Sequence, residues 1–296
     1  MSTTTTDTAP AADGSARGYS AHATLTFGTE FRRQLTRRRT QLMLGFMAIL
    51  PIILYLAFTL GSGREDDDND AENAFALADF GTVSAANFTL FALLVSSSFL
   101  LVIMVALFCG DTVASEASWG SLRYLLATPV PRGRLLAVKY GVGLSFTGLA
   151  MVTLTGTSLL VGIIAYGWKP LQAPLGGELA ANDAIWRILG VAGYLSLMLL
   201  AVAALALLLS VSTDAPLAAV GGAVVMQIVS NILNAVDDLG DLRDVLPTRY
   251  GQAWLSLLST PVQFDEMVRG AVTSLSYATV FTVWAFWKFN RKDISS

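Results

Sequence analysis

The stretch GSLRYLLATPVPRGRLLAVK (residues 120–139) separates two long apolar runs, at about residues 88–109 and 140–166. It carries four basic side chains, two prolines and two glycines. Each flanking run is long enough to cross a lipid hydrocarbon core, which takes about 20 apolar residues of helix. The sequence therefore predicts that residues 120–139 form a polar loop between two membrane helices.

Apolar runs of this kind recur along the whole chain. The 296 residues are 54% hydrophobic and 14% charged, with a mean hydropathy of +0.58, whereas soluble domains carry about 25% charged residues. Because lipid cannot satisfy an open backbone, the runs must be helices. The sequence predicts an all-α integral membrane protein with six transmembrane helices, at about residues 41–60, 88–109, 140–166, 187–211, 215–235 and 270–287.

Basic residues fall on one side of these predicted spans. They precede the first span, fill the loop after the second and follow the sixth, whereas the loop GREDDDNDAEN (residues 63–73) is strongly acidic. Cytoplasmic loops of membrane proteins carry an excess of Lys and Arg. We therefore expect a multi-pass membrane protein with both termini in the cytoplasm.

The N-terminal region divides into two parts. Residues 1–23 are rich in Thr, Ala, Ser and Gly and are predicted to be a disordered cytoplasmic tail. Phe27, Phe31 and Leu35 then recur every four residues opposite an arginine-rich face. This pattern favours an amphipathic helix in the cytoplasmic membrane interface; the alternative is a basic topology anchor without order.

The inventory of reactive residues is small. Cys109 is the single cysteine and His22, the single histidine, lies in the tail, so no metal site or redox chemistry is expected. The acidic loop departs from a calcium loop at Ala71 and Leu77. The span centres hold no ionisable residue, which disfavours an ion-coupled carrier, and no G-x-x-x-x-G-K-[ST] phosphate loop is present. A transport activity would therefore draw its energy from another polypeptide, and the chain is not expected to be an enzyme.

The segment around residue 120 has helical periodicity. Ser115 or Ser118 would cap a short helix that Pro129 ends, with Glu116 near its start. Its apolar side chains fall three and four residues apart: Trp119, Leu122, Leu125 and Leu126. Such a helix fits either a groove on a partner protein or the lipid surface, and periodicity alone does not separate the two.

The same loop carries a family pattern. Asp111 is followed by an E-x-x-x-G-S-L motif, a leucine-rich segment, P-V-x-R and a lysine, namely Glu116, Gly120, Ser121, Leu122, Leu125, Leu126, Pro129, Val130, Arg132, Leu135 and Lys139. The pattern resembles the first cytoplasmic loop of the ABC-2 type permeases, with Ser121 in place of the commoner Thr. The ending FNRKDI (residues 289–294) is similar to the family's cytoplasmic end. Residues 24–296 are therefore expected to form one ABC-2 type permease transmembrane domain.

The resemblance implies a permease subunit of an ATP-driven exporter in the prokaryotic plasma (inner) membrane. It pairs with a second permease copy or a related permease and binds separate ABC ATPase subunits, which hold ATP and Mg²⁺; no cofactor is bound directly. Membrane lipid, and not nucleic acid, surrounds it, and the apolar spans favour an amphiphilic cargo. The loop helix would be the coupling helix that docks on the ATPase, through Glu116, Trp119, Gly120, Leu122, Arg123, Leu125 and Leu126.

Two regions toward the C-terminus leave alternatives open. The resemblance implies a re-entrant helical hairpin between spans five and six, and residues 236–269 either form it or form an outer-face surface helix. In span five a polar stripe either lines a substrate path or makes interhelical hydrogen bonds. Its members are Gln227, Ser230, Asn231 and Asn234.

Two further functions remain as alternatives to export. One is a non-transporting membrane scaffold or sensor bound to an ATPase. The other is the ion-coupled secondary carrier, which the missing intramembrane charges disfavour.

Overall fold

A computed structural model describes residues 25–61, 79–119, 130–173 and 177–292. The α-helices in these ranges are α1 (Phe27–Leu35), α2 (Arg38–Gly61), α3 (Ala85–Ser97), α4 (Leu100–Ser118), α5 (Arg132–Tyr166), α6 (Ala181–Ser212), α7 (Pro216–Asn234) and α8 (Asp265–Arg291). Two-residue strands β1 (Leu171–Gln172) and β2 (Glu178–Leu179) pair antiparallel between α5 and α6. Two 3-10 helices, Asp237–Val245 and Ala253–Leu258, lie between α7 and α8.

Five helices of the described ranges are long and apolar enough to cross a membrane: α2, α4, α5, α6 and α7. The predicted all-α membrane architecture is confirmed at this level. The sixth predicted span is the 27-residue α8, which at 1.5 Å per residue extends about 40 Å. Charged residues at both of its ends and hydroxyl side chains within it lower its apolar character, so its crossing stays a prediction.

The second predicted span, residues 88–109, is divided in the structure. Helix α3 ends at Ser97 and α4 begins at Leu100, with Phe99 between them at φ −138° and ψ −54°. Three consecutive serines precede this break, and the Ser97 hydroxyl donates to the Leu94 carbonyl at 2.8 Å. Serine side chains that bond nearby backbone compete with helix continuation. The prediction of one unbroken helix is wrong here because an apolar run does not reveal such a break.

Helices α4 and α6 form the centre of the bundle. Helix α6 packs along α8, α4 and α7, and small side chains let the backbones approach closely, as in other membrane helix pairs. The Ser210 hydroxyl accepts backbone N–H bonds from Val113 and Ala114 at 3.1 and 3.0 Å, which fixes α6 against α4. The small buried residues of α4, α6 and α7 include Ala106, Ala114, Ala203, Ala206, Ala219 and Ala223.

Helix α3 is held mainly by α5 and the strand pair. Its N-cap Ser84 accepts the backbone N–H of Asn87. The Asn87 side chain in turn donates to the Gln172 carbonyl at 2.9 Å and accepts the Gln172 N–H at 3.1 Å. Near the end of α5, a Cβ on Gly162 would lie 2.9 Å from the Ala85 Cα. The close approach of α3 and α5 therefore requires glycine at position 162.

The two ends of the bundle differ in charge. One end, called the basic end, is formed by α1, the C-termini of α4 and α8 and the start of α5. Arg132 ties two of these elements together by donating to the carbonyls of Asn290 and Lys292 at 3.2 and 3.0 Å. The opposite, acidic end includes Asp237, Asp238, Asp241, Asp244, Asp265 and Glu266. The first and last described residues both lie at the basic end.

The α3–α5 contact gives a first prediction. Gly162→Ala should lower the free energy of unfolding by about 1–3 kcal/mol, because the added methyl overlaps the Ala85 backbone. Gly156→Ala, on the same helix with nothing within 4 Å of its new Cβ, should be near neutral. Thermal unfolding of both variants in detergent measures the difference, and equal midpoints would show that α3 and α5 do not pack this closely.

Candidate functional site

Four charged side chains from three helices meet at the basic end. Lys139 of α5 places its Nζ 2.6 Å from Glu116 Oε1 of α4 and 3.5 Å from Glu30 Oε1 of α1. Arg33 of α1 reaches both glutamates at 2.8 Å. Glu30, Glu116 and Lys139 are each at most 2% exposed. This charge cluster contains two cations and two anions and joins α1, α4 and α5.

Aromatic packing holds α1 in the same place. The Phe31 ring stacks on Phe146 of α5 with centroids 4.7 Å apart, and Phe146 contacts Phe108 of α4 at 5.7 Å. Gln34, one turn after Glu30, is also buried and donates to Glu30 Oε1 at 3.3 Å. The residues of the predicted apolar stripe of α1 therefore differ in environment. Phe31 packs inside the bundle, whereas Phe27 and Leu35 stay exposed.

The cluster changes the acidity of Glu30. Burial raises the pKa of this carboxyl, but the Lys139 ammonium and the Arg33 guanidinium outweigh burial and hold the pKa below its ordinary value. Charges removed from water are tolerated only when they are paired with good geometry, and removing one partner leaves an uncompensated charge. The four side chains therefore form a mutually dependent set.

A second ion pair lies one turn deeper. Arg39 at the start of α2 pairs with Asp111 of α4, whose side chain is 7% exposed. Since α1 and α2 are separated only by Thr36 and Arg37, both N-terminal helices are tied to α4 by ion pairs.

The predicted docking residues are placed as follows. Glu116 lies in the last turn of α4, inside the charge cluster, and its carboxylate points into the bundle end. Trp119 follows α4 and is 70% exposed, with the Arg37 guanidinium 5.9 Å from its ring centroid. The remaining five residues and the predicted coupling helix lie outside the described residues: Gly120, Leu122, Arg123, Leu125 and Leu126.

A cavity of about 640 Å³ lies toward the acidic end. It is bounded by the α3–α4 break, α6, α7 and the segment 247–266. Three residues of the predicted polar stripe line it, namely Gln227, Asn231 and Asn234. Ser230 does not line it, because its hydroxyl hydrogen-bonds the Thr248 hydroxyl at 2.8 Å. The structure thus brings together three of the four stripe residues around one space, which we call the polar cavity.

Most of the polar cavity could not be located from sequence. Its wall at Ser97 and Ser98 exists because the helix breaks there. Gln252 and Gln263 come from a segment without regular periodicity, and Glu266 comes from the first turn of α8. The run of serines at 96–98 is the one sequence signal that marks this wall.

The segment between α7 and α8 packs back onto the bundle. Trp254 and Leu258 of the second 3-10 helix are buried in the protein core against α6. Arg187 donates to the carbonyls of Leu257 and Ser259, and the Tyr194 hydroxyl donates to the Tyr250 carbonyl at 2.8 Å. A re-entrant hairpin stays a prediction, and the short 3-10 helices are what the structure contains there.

Among the residues described, no group of three His, Cys, Asp or Glu side chains could hold a metal ion.

Comparison with known proteins gives one match of high coverage. A family model described as "ABC-2 family transporter protein" matches residues 27–294, almost the entire chain. The match begins at the first residue of α1 and includes the charge cluster and the polar cavity. A comparison with curated proteins finds no match.

The charge cluster predicts a large effect of one substitution. Lys139→Met should lower the free energy of unfolding by about 3–5 kcal/mol, because it removes one of the two cations that compensate two buried carboxylates in the charge cluster. Lys169→Met, which removes an exposed lysine at the opposite end, should change it by under about 0.5 kcal/mol. The double variant Glu116→Gln/Lys139→Met should lose less free energy of unfolding than the sum of the losses in the two single variants. Strictly additive losses would contradict the pairing.

The Glu30 carboxyl predicts a pH dependence. Its pKa is lower in the folded than in the unfolded chain, so its contribution to stability is complete above the ordinary glutamate pKa and is lost as the pH falls through the lowered folded value. The stability difference between the wild-type chain and Glu30→Gln should therefore shrink on acidification. Denaturation of both proteins across that pH range measures it, and a constant difference would contradict the assignment.

Proposed function

The chain belongs to the ABC-2 transporter family, and we propose that it is the membrane-spanning permease subunit of an ATP-driven exporter, coupled to a separate ABC ATPase. The sequence has no phosphate-binding loop of its own, so the ATPase partner supplies ATP hydrolysis with its Mg²⁺. The cargo is an amphiphilic compound.

The observation that carries this proposal is the anchoring of the loop that joins α4 to α5. Glu116, at the end of α4, and Lys139, two turns into α5, stand on either side of residues 120–129 and pair with each other at 2.6 Å. A force applied to this loop by a docked ATPase would reach both helices together, and α1 through Glu30 and Arg33. This is the arrangement that a coupling element needs.

The charge distribution supports an orientation. We place the basic end in the cytoplasm, because Lys and Arg accumulate on that side of membrane proteins. Trp119 then faces the cytoplasm, where an ATPase would dock, and an exposed aromatic side chain is a common anchor of such interfaces.

Exposed apolar faces support a second permease subunit. Helices α2 and α7 have large outward-facing hydrophobic side chains, including Ile52 and Leu56 on α2 and Val225 and Ile232 on α7. Lipid covers part of this surface, and we propose that a second copy of the chain or a related permease covers the rest.

A non-transporting scaffold or sensor subunit is the second candidate. It would use the same docking loop but would need no internal space, and the polar cavity therefore favours transport. The two functions differ in one measurement: a scaffold would stimulate its ATPase in vesicles without net movement of any amphiphile.

Docking predicts that Trp119→Ala uncouples the complex. Loss of an interface aromatic can weaken binding by about 2 kcal/mol or more, so the variant should insert normally but co-purify with less ATPase and lose cargo-stimulated hydrolysis. Trp186→Ala removes a tryptophan of similar exposure, 75% against 70%, at the acidic end and should behave as wild type. Equal ATPase recovery from both variants would place docking elsewhere.

The orientation predicts the accessibility of introduced cysteines. Cysteines at Asp67 and Gln252 should react with an impermeant maleimide in intact cells, and one at Arg132 only after permeabilisation. The native Cys109 is fully buried, so it should give little background. Labelling at Arg132 from outside would reverse the proposed orientation.

A further inference from the structure

We propose that the polar cavity is a binding site, complete within one copy of the chain, for an amphiphile with a positively charged head and an aliphatic body. Binding of this ligand in the cavity does not depend on the proposed function. Its identification as the exported cargo rests on the proposed function.

The size and lining of the cavity suit such a ligand. A volume of about 640 Å³ lies within the range of small-molecule sites, about 300–1,000 Å³. One part of the wall is aliphatic and the other is rich in carboxamides. The aliphatic residues are Leu94, Val102, Leu195, Met198 and Leu199, and the carboxamides are Gln227, Asn231, Asn234, Gln252 and Gln263.

The charges of the wall favour a cation. Two ionic side chains line the cavity, Arg249 and Glu266. Arg249 is already compensated by Asp244, with 3.3 Å between its Nε and the Asp244 Oδ1. Glu266 forms no ion pair with any residue that the structure describes. An ammonium head would be attracted by Glu266, whereas a carboxylate head would be repelled by it and would find Arg249 already paired.

Protection of a single cysteine tests the site without transport. Ser97→Cys places a thiol in the cavity wall, and the buried Cys109 leaves it as the reactive position. The purified chain in lipid nanodiscs is labelled with maleimide in the presence of dodecylammonium, dodecyltrimethylammonium or dodecanoate. Dodecylammonium and dodecyltrimethylammonium should both slow labelling, and dodecanoate at the same concentrations should not protect.

Variants of the wall identify the contacts. In the Ser97→Cys background, Glu266→Gln should weaken protection by dodecylammonium about tenfold. Glu178→Gln makes the same chemical change at an exposed position of the acidic end and should have no effect. Equal protection by amine and carboxylate, or equal behaviour of wall and control variants, would overturn the site.

Binding and export can fail separately. Protection as described without export by the complete ATPase complex would leave the site standing and overturn the proposed function. Export of dodecylammonium by a complex that shows no protection at position 97 would support the proposed function and overturn the site.

Discussion

The pairing of Lys139 with Glu116 is the contact on which the basic end of the bundle depends. Neither side chain reaches water, so each charge is tolerated only because the other lies 2.6 Å away. The pair also sets the positions of α4 and α5 on the two sides of the 120–129 loop, and Glu30 and Arg33 extend the constraint to α1. A movement of α1, α4 or α5 relative to the other two would therefore separate buried charges, which is costly.

Helix α4 connects this constraint to the polar cavity. It carries Glu116 near one end and Val102, a cavity residue, near the other, about 21 Å away along the helix axis. The break at Ser98 and Phe99 separates α4 from α3, which is fixed to α5 through Gly162 and to β1 through Asn87. Helix α4 packs on α5, α6 and α7, so it joins the charge cluster at one end of the bundle to the cavity wall toward the other.

Sequence patterns predicted the features that depend on local residue spacing, and they missed the features that depend on tertiary contacts. Apolar runs identified the long helices, and the spacing of Gln227, Asn231 and Asn234 placed three side chains on the cavity. The role of Glu30 was not predictable, because residues 30, 116 and 139 meet only in the folded bundle. The motif around Glu116 predicted a docking residue, yet nothing in its spacing indicates that the carboxylate is buried. Apolar residues on both sides of Ser98 concealed the helix break.

Helix α7 shows how one sequence serves two environments. Gln227, Asn231 and Asn234 are spaced by four and three residues, and so are Val225, Val229 and Ile232, two positions earlier. At 100° per residue this offset places the two sets on opposite faces of the helix. The polar set lines the cavity, and the apolar set is exposed on the outside of the single chain. Helix α7 is therefore a thin wall between the polar cavity on one side and the apolar outer surface of the chain on the other.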